Sequence, residues 1–395
     1  MTERTTPPLA GIRVIELARI LAAPWAGQVL ADLGADVIKV EQPGRGDDTR
    51  HWGPPFVKGS NEDNRSAAYF HACNRGKRSI AVDIATPQGQ ETIRKLAASA
   101  DVLIENFKVG GLAKYGLDEA SLRTANPRLV YCSITGFGQT GPYAGRAGYD
   151  LMIQGMSGIM ALTGEPQGEP MKMGVAFADI FTGLYAVIAI QAALTERGRT
   201  GRGAAIDMAL LDAMVGVLAN QAMNYLVTGN EPPRLGNAHP NIVPYEVFPV
   251  ADGHIIVAVG NDRQFGDFCR LLDLDDLAND ARFATNADRV ANREALVRDI
   301  KAAAAKWPAA ELLAALQAGG VPAGPINGLA AIFADPQIAA RQMVIERSAD
   351  GATVPGLRTP IMLDGLAMAS DRPAPRLGQH TEEILAELAD LEDVT

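Results

Sequence analysis

The chain is poor in the residues that most often build metal sites and cross-links. Its 395 residues include three cysteines, Cys73, Cys132 and Cys269, and five histidines. The cysteines are far apart and none forms a CxxC pair, so we expect neither a disulfide framework nor a bound metal. This cysteine usage fits a reducing compartment, and we expect a cytoplasmic location.

Positive charge and long apolar runs are scarce as well. Asp and Glu number 46 against 36 Lys and Arg, which gives a net charge of -10. An acidic surface repels phosphate backbones, so no nucleic-acid partner is expected. Residues 1–8 lack the apolar core of a secretory signal, and no apolar run has the length of a membrane span. We therefore expect no membrane association.

What the sequence does contain is a regular alternation of strand and helix patterns in its first third. A chain of this length, with 47% hydrophobic residues, can form two domains with large cores. Alternating strands and helices are typical of a parallel α/β sheet, here Rossmann-like in its period. The predicted strands are 12–17, 35–40, 78–83, 101–105 and 129–134, with helices at 22–33 and 86–98.

A glycine motif after the fifth strand matches the dinucleotide fingerprint GxGxxG only in its letters. Gly136, Gly138 and Gly141 have the required spacing. The fingerprint needs its last glycine to open a helix that holds the pyrophosphate, whereas residues 142–148 have loop composition. Nicotinamide oxidoreductase chemistry is therefore disfavoured.

The remaining segments predict a second, smaller domain. Helices are expected at 182–194, 210–227 and within 262–318, and residues 245–259 form a β-hairpin around Asp252-Gly253. We predict an α/β fold with a Rossmann-like large domain built from residues 1–225 and 326–395. A small α+β domain is predicted at 226–325.

One carboxylate stands in surroundings that are unfavourable for a charge. Asp179 follows small and apolar residues, 174–178, and precedes an apolar helix. The simpler interpretation is a helix N-cap, a position where Asp is common. The alternative is a shielded nucleophile.

Further motifs are spread along the chain, at Ala31–Glu41, Asp47–Phe56, Asn74–Ile80, Ile104–Phe107, Ser133–Gly138, Ala147–Asp150 and the segment around Asp179. Taken in order, they resemble the class III coenzyme A transferases, which share their fold with α-methylacyl-CoA racemases. The resemblance extends over essentially the whole chain, and within the family it is strongest to succinyl-CoA:glutarate-type dicarboxylate CoA-transferases.

The resemblance implies a homodimer of interlocked chains and a catalytic role for Asp179. In such an enzyme the carboxylate attacks an acyl-CoA, forms a mixed anhydride, and is converted into an aspartyl-CoA thioester that a second acid resolves. The CoA thioester is a substrate, so no cofactor is expected. The expected substrates are succinyl-CoA and a free dicarboxylic acid.

Further site residues follow from matched positions. Gly236 and Asn237 match a loop over the acyl site, although an interdomain turn is an equal alternative. The basic cluster Arg75, Lys77 and Arg78 would contact the nucleotide end of CoA, whereas from sequence alone it would be a solvated turn. The other matched positions line CoA or the acyl pocket, and the two aromatic ones have core packing as the alternative: Trp52, Asn106, Phe107, Lys114 and Tyr149.

Substrate choice rests on four positions. Oxalate-specific relatives carry Gln where this chain has Leu21 and several glycines in the loop that here contains only Gly236, so oxalate is disfavoured. A dicarboxylate needs a cation for its distal carboxylate, and Arg19 and His239 are the candidates.

Two other functions stay open as alternatives. A racemase of 2-methylacyl-CoA esters needs a proton shuttle, and that branch of the family has a histidine where this chain has Tyr149. A non-catalytic CoA-binding protein would have no use for the Asp179 segment.

Overall fold

The computed structural model describes residues 6–57, 66–349 and 352–392. These residues form two compact units. The first contains Met1–Ile159, Lys172–Met223 and Gln337–Thr395, and the second contains Met160–Met171 and Asn224–Pro336.

The elements of the first unit alternate between strand and helix. The strands are β1 (Arg13–Leu17), β2 (Asp36–Glu41), β3 (Phe56–Val57), β4 (Ser66–Ala67), β5 (Arg78–Ala81), β6 (Val102–Glu105), β7 (Val130–Thr135) and β8 (Ala205–Ala209). The helices are α1 (Ala22–Asp32), α2 (Ala68–Cys73), α3 (Pro87–Ala98), α4 (Glu119–Ala125), α5 (Asp150–Met156), α6 (Ile159–Leu162), α7 (Phe177–Thr200), α8 (Leu210–Gly216) and α9 (Ala219–Thr228), with α6 and α9 at its boundaries.

Six parallel strands form the central sheet, in the order β5-β2-β1-β6-β7-β8. Successive side chains of a strand point to opposite faces. Val14 accordingly contributes to the core beneath α1 and α7, while Ile15 and Leu17 face the core beneath α3. Both faces are buried, which explains the apolar composition that made these strands predictable. The predicted parallel α/β architecture is confirmed.

The strand order reverses beside β1. The chain builds β2 and β5 on one side of β1 and then returns to place β6, β7 and β8 on the other. The loops after β1 and β6 both line a cavity at the carboxyl ends of the strands. In open α/β sheets this position is where ligands bind.

Helix α7 is longer than predicted, because it begins at Phe177 rather than Thr182 and ends at Thr200. By length and composition it could cross a membrane, but core helices of globular proteins pass the same test. Here one side packs on α1, β7 and β8. Its buried Arg197 pairs with Asp101 at 2.8 Å, as expected of a helix in a protein core.

The predicted helix at 210–227 is interrupted. It forms α8 and α9, separated at residues 217–218, and Ala219 has a left-handed φ of 47°. Gly216, a poor helix former, is the last residue of α8 and stands directly before the break.

The second unit has its own core around the β-hairpin of β9 (Tyr245–Val250) and β10 (Gly253–Ala258), which turns where predicted. It differs from the predicted small domain, 226–325, because it extends from 224 to 336 and includes 160–171. Its other elements are α10 (Asp262–Leu271), α11 (Asp275–Ala278), α12 (Asn286–Ala291), α13 (Arg293–Ala304), α14 (Ala309–Ala318), β11 (Ala323–Pro325) and α15 (Leu329–Phe333).

The C-terminal segment returns to the first unit. Helix α16 (Pro336–Ala340) precedes two hairpins, and the last helix packs on β5. These elements are β12 (Val344–Ala349), β13 (Ala352–Leu357), β14 (Met362–Leu363), β15 (Leu366–Ala367) and α17 (Thr381–Glu392). The three cysteines are free and buried.

Candidate active site

Asp179 is the third residue of α7, not its N-cap. The N-cap is Ala176, whose side chain cannot accept a hydrogen bond. The carboxylate of Asp150, the first residue of α5, replaces it by accepting from the backbone N–H of Ala178 at 2.9 Å. The capping interpretation of Asp179 is therefore wrong, and its side chain is available for another role.

A second polar contact fixes the approach to this helix. Gln154 donates to the other oxygen of Asp150 at 2.8 Å and accepts from the backbone N–H of Met173 at 2.9 Å. Asp150 and Gln154 lie one turn apart on α5, so one helix face holds the chain on both sides of residues 174–177. This arrangement holds the backbone at the start of α7, beside Asp179.

The carboxylate lines a cavity of about 290 Å³ at the strand-order reversal. The walls come from the loop after β1, the loop after β6 and the segment from β7 to the start of α5. The wall residues include Arg19, Ile20, Leu21, Asn106, Phe107, Lys108, Arg146, Tyr149 and Asp150. The Gly136 motif forms part of this segment, and no helix follows it before Asp150, which confirms the predicted loop.

The surroundings of Asp179 favour its neutral form. Burial raises the pKa of its carboxyl to about 7, and the negative charge of Asp150 adds to this effect. The phenol of Tyr69, on α2, interacts electrostatically with the same carboxylate. Burial and, after it, the negative charge of Asp179 raise the pKa of Tyr69 to about 12. A carboxylate whose pKa is shifted toward neutrality inside a cleft is typical of catalytic sites.

The two predicted aromatic residues occupy different positions. Tyr149 lines the Asp179 cavity and is largely exposed, with 71% of its surface accessible. Trp52 is half exposed and does not line that cavity, but its ring meets the ring of Tyr69 edge-on at 5.4 Å. Neither side chain is buried, so the core-packing alternative is wrong for both.

A second cavity, of about 440 Å³, adjoins the first. Arg19, Phe107 and Lys108 line both, so the two share a wall. Besides Arg19, three cations line the second cavity: Lys114, which was predicted, and Arg45 and Lys108, which were not. Lys108 directly follows the predicted pair Asn106-Phe107 at the end of β6, a position that could have suggested it.

The predicted residues after β1 and β6 are joined by hydrogen bonds. Asn106 accepts from the backbone N–H of Arg19 at 3.1 Å and donates to its carbonyl at 2.7 Å. The Arg19 guanidinium is exposed and pairs with Asp48 at 2.7 Å. Leu21 is buried and stands directly before α1.

The basic cluster does not form a solvated turn, and its charges are already neutralised. The side chains of Arg75, Lys77 and Arg78 are at most 6% exposed. Arg75 pairs with Asp32 at 2.5 Å, Lys77 with Glu16 at 2.7 Å, and Arg78 with Asp36, Glu383 and Glu387. None of the three lines either cavity. Their placement does not fit the predicted contact with the nucleotide of CoA.

The predicted acyl-site loop lies in the second unit. Gly236 has a left-handed φ of 58° and donates its N–H to the carbonyl of Gly164, while Asn237 is exposed. His239 accepts from the N–H of Asn241 through Nδ1 at 3.1 Å. Burial and the charge of Arg293 lower its pKa, so His239 is neutral near pH 7. A neutral imidazole does not fit the predicted role as a cation for a carboxylate.

Other kinds of site find little support. No cluster of three or more His, Cys, Asp or Glu suited to a metal occurs among the residues that the structure describes. No histidine lines either cavity. A racemase that relies on a histidine proton shuttle is therefore disfavoured.

Besides Ile20, Lys108 and Arg146 in the cavity wall, the residues missed from the sequence include Tyr69, Asp150 and Gln154. Asp150 directly follows the predicted Tyr149, and its spacing of four from Gln154 places both on one helix face. That spacing was a usable signal. Tyr69 is separated from Asp179 by 110 positions, and no local pattern marks it.

Comparisons of the sequence with known proteins identify the family of this chain. The family model described as CoA-transferase family III matches residues 9–381. The chain is 59% identical over 387 residues to succinate–glutarate CoA-transferase of Agrobacterium fabrum, covering 98% of this chain and 97% of that protein. It is 42% identical to human succinyl-CoA:glutarate CoA-transferase, covering 98% of this chain and 87% of the human protein.

A solved structure confirms the fold. The crystal structure of a CAIB/BAIF family protein from Brucella suis has a TM-score of 0.86 and 61% identity, covering 97% of this chain and all of that one. A parallel sheet with a ligand crevice and a perturbed carboxylate thus occurs in a chain that matches one family along nearly its whole length. The chain belongs to CoA-transferase family III, and it is an enzyme that transfers coenzyme A from an acyl-CoA to a free carboxylic acid.

Proposed function

We propose that this enzyme transfers CoA from succinyl-CoA to a dicarboxylate such as glutarate, with Asp179 as the nucleophile. The observation that carries the proposal is the half-buried Asp179 carboxylate in a cavity between the ends of β1 and β6, with its pKa raised to about 7. The substrates are those in the names of the similar enzymes from A. fabrum and human.

The proposed reaction conserves the energy of the thioester. The Asp179 carboxylate attacks the acyl carbonyl, the C–S bond breaks, and CoA thiolate leaves a mixed anhydride. The thiolate then attacks the aspartyl carbonyl, which releases the first acid and leaves an aspartyl-CoA thioester. The second acid repeats these steps in reverse and regenerates the carboxylate.

The chemistry explains why an apolar setting is useful. Water would hydrolyse the anhydride or the thioester and end the transfer. Ile20, Leu21 and Ala22 give apolar surface to the cavity that Asp179 lines. A poorly solvated carboxylate is also a stronger nucleophile once it is ionised.

The second cavity suits the anionic part of CoA. Lys108 and Lys114 supply positive charge in its wall, and Arg45 adds a charge that its ion pair with Asp48 partly offsets. Cations of this kind recognise phosphate groups. The shared wall at Arg19 and Phe107 would let the pantetheine arm pass from the second cavity to Asp179.

Arg19 is the proposed cation for the distal carboxylate of the acid. It lines the Asp179 cavity, and its exposed guanidinium could exchange its partner Asp48 for the substrate. Arg146, which lies over the rings of Phe137 and Tyr143, lines the same cavity and supplies a matched comparison. Arg19→Met should raise the KM for glutarate at least about tenfold and leave monocarboxylates little changed. Equal effects on both acid classes, or a selective effect only in Arg146→Met, would refute the assignment.

We also propose a homodimer, whose interlocking is an expectation from the family, in the cytoplasm. Large apolar side chains lie exposed on one face of α7, namely Leu184, Tyr185 and Ile188. Such a face usually marks an interaction surface. Sedimentation at micromolar concentration should give twice the mass of the chain, and a monomer would refute this part.

The decisive experiment traps the covalent intermediate. The enzyme is incubated with succinyl-CoA and then hydroxylamine, and its peptides are weighed. A hydroxamate on Asp179 is expected, and Asp179→Ala should show none. An unmodified chain that exchanges deuterium at the α-carbon of a 2-methylacyl-CoA would instead support the racemase.

A further inference from the structure

Ile20 adopts a backbone conformation that is unusual for its residue type. Its φ is 74°, in the left-handed region where β-branched side chains are strongly disfavoured. Ile20 also lines the Asp179 cavity. Strained residues persist where the surrounding structure holds them, and they concentrate at functional sites.

Side chains hold the backbone of three consecutive residues here. Lys39 donates to the carbonyl of Ala18 at 2.9 Å, Asn106 brackets both backbone groups of Arg19, and Asp47 accepts from the N–H of Ile20 at 3.3 Å. Asp47 therefore binds the N–H of the strained position itself, whereas the carbonyl of Ile20 accepts from the Cys73 thiol at 3.6 Å.

Asp47 is anchored in turn by a buried ionic network. Lys39 lies 2.9 Å from Asp47 and 2.9 Å from Glu16, and Glu16 lies 2.7 Å from Lys77. The four side chains are at most 1% exposed. Gly27 of α1 leaves room for this network, because a Cβ there would lie 2.0 Å from a Glu16 oxygen.

The strained position is connected mechanically to the nucleophile. Helix α1 begins two residues after Ile20 and packs along α7. Gly183, one turn after Asp179, permits a very close approach, because a Cβ there would lie 2.6 Å from the Ala22 carbonyl oxygen. A change of backbone conformation at Ile20 would therefore alter the start of α1 against the helix that carries Asp179.

We propose that Asp47 is a positioning residue that holds Ile20 in its left-handed conformation and so sets the wall of the Asp179 cavity for CoA transfer. Asp47 does not line that cavity; it lies in the wall of the adjoining one, almost completely buried. The proposal rests on the proposed role of Asp179, because it concerns the geometry around that carboxylate.

The test is a rescue experiment. Rescue is expected if Asp47 positions Ile20, and it is not expected if Asp47 only stabilises the fold. Asp47→Ala should lower kcat for succinyl-CoA and glutarate about 10- to 100-fold, since a misplaced wall affects rate more than binding, with KM within about twofold. Glycine adopts a positive φ without steric cost. Adding Ile20→Gly to Asp47→Ala should therefore restore kcat at least about fivefold.

Two further variants control the experiment. Asp273→Gly introduces glycine at a different residue with a positive φ, 57°, which is exposed. It should not change kcat in the wild type or in Asp47→Ala. Asp47→Asn keeps an oxygen that can accept from Ile20, so kcat should stay within about threefold even if the melting temperature falls. It also serves if Asp47→Ala does not fold.

The outcomes separate cleanly. A double variant no faster than Asp47→Ala, or an Asp47→Asn enzyme as slow as Asp47→Ala, would overturn the positioning role. Hydroxylamine trapping tests the nucleophilic role of Asp179 separately. Loss of the positioning role of Asp47 would therefore leave the proposed function intact. Absence of trapping in the wild type would refute the proposed function whatever the rescue shows.

Discussion

Two aspartates of the first unit, the buried Asp47 and the half-buried Asp179, have opposite protonation preferences. Burial disfavours the charge on Asp47, but Lys39 and Thr49 outweigh it and lower its pKa to about 2. Burial raises the pKa of Asp179 to about 7, and Asp150 reinforces the shift. Burial disfavours the charge on both carboxylates, and the partners of Asp47 offset that cost, whereas Asp179 has none to offset it in the part of the chain that the structure describes.

The difference separates structure from chemistry. The Asp47 carboxylate pairs with the Lys39 ammonium and accepts from the Thr49 hydroxyl and from the backbone N–H groups of Thr49 and Ile20, so its charge stabilises the local fold. Asp179 has no hydrogen-bond donor among the described residues, and its charge is poorly stabilised. Poor stabilisation is a cost for folding and an advantage for a nucleophile.

Removal of the Asp179 nucleophile should give the largest effect. Asp179→Asn keeps the shape of the side chain but cannot form an anhydride, so kcat should fall at least about 10³-fold. The assay is mass detection of glutaryl-CoA made from succinyl-CoA. Transfer at a rate near that of the wild type would show that the contrast between the two aspartates has no catalytic meaning.

The two aspartates should also affect folding stability in opposite directions. At pH 8, Asp47→Asn leaves a buried lysine short of a partner and should cost about 3 kcal/mol, whereas Asp179→Asn should raise the melting temperature. The depressed pKa of Asp47 makes its contribution present above 3.8 and lost as pH falls toward 2. The raised pKa of Asp179 makes its penalty grow from 3.8 to about 7, so the gain in Asp179→Asn should vanish near pH 4.

Thermal unfolding of both variants and the wild type between pH 2 and 8 measures these effects. The assignment fails if Asp179→Asn is destabilised at pH 8 as strongly as Asp47→Asn.

The pH dependence of the reaction should report the Asp179 environment. Ionised Asp179 is the reactive form, so kcat/KM should rise with pH through about 7. Asp150→Asn removes the like charge while its oxygen can still cap Ala178, so the acid limb should move to lower pH. We expect kcat/KM at pH 6 to increase about two- to fivefold relative to pH 8. An unmoved limb would mean that burial alone sets the pKa.

The smallest effects should come from two neighbouring hydroxyls. Thr49→Val removes the hydroxyl that donates to Asp47 at 2.8 Å and should cost about 1 kcal/mol in urea unfolding. Tyr69→Phe should leave both stability and the acid limb nearly unchanged, because no hydrogen bond joins Tyr69 to Asp179 among the described residues. A clear shift of the limb in Tyr69→Phe would reveal a donor that becomes engaged during the reaction.

The sequence predicted the central sheet well, because strands buried on both faces must be apolar along their length. It predicted less well where distant residues decide the outcome. The start of α7 was missed because its cap is Asp150 rather than a residue of its own segment. The role of Lys77 was misjudged because its partner Glu16 lies 61 positions earlier.

The candidate site divides in the same way. Asp179, Asn106 and Phe107 were identified through family motifs at strand ends, and the topology of the sheet brings them together. Tyr69 and Ile20 could not be identified, since neither an electrostatic neighbour on another helix nor a backbone angle leaves a mark in local composition. The left-handed φ of Ile20 in particular contradicts its own residue type.

The wall that the two cavities share at Arg19 and Phe107 has a kinetic consequence. A CoA held by its nucleotide end in the larger cavity would keep its sulfur beside the aspartyl carbonyl after the thioester breaks. The departing thiolate would then return as a tethered reagent, at an effective molarity far above that of any CoA in solution. Exchange should accordingly proceed without incorporation of labelled free CoA into the product.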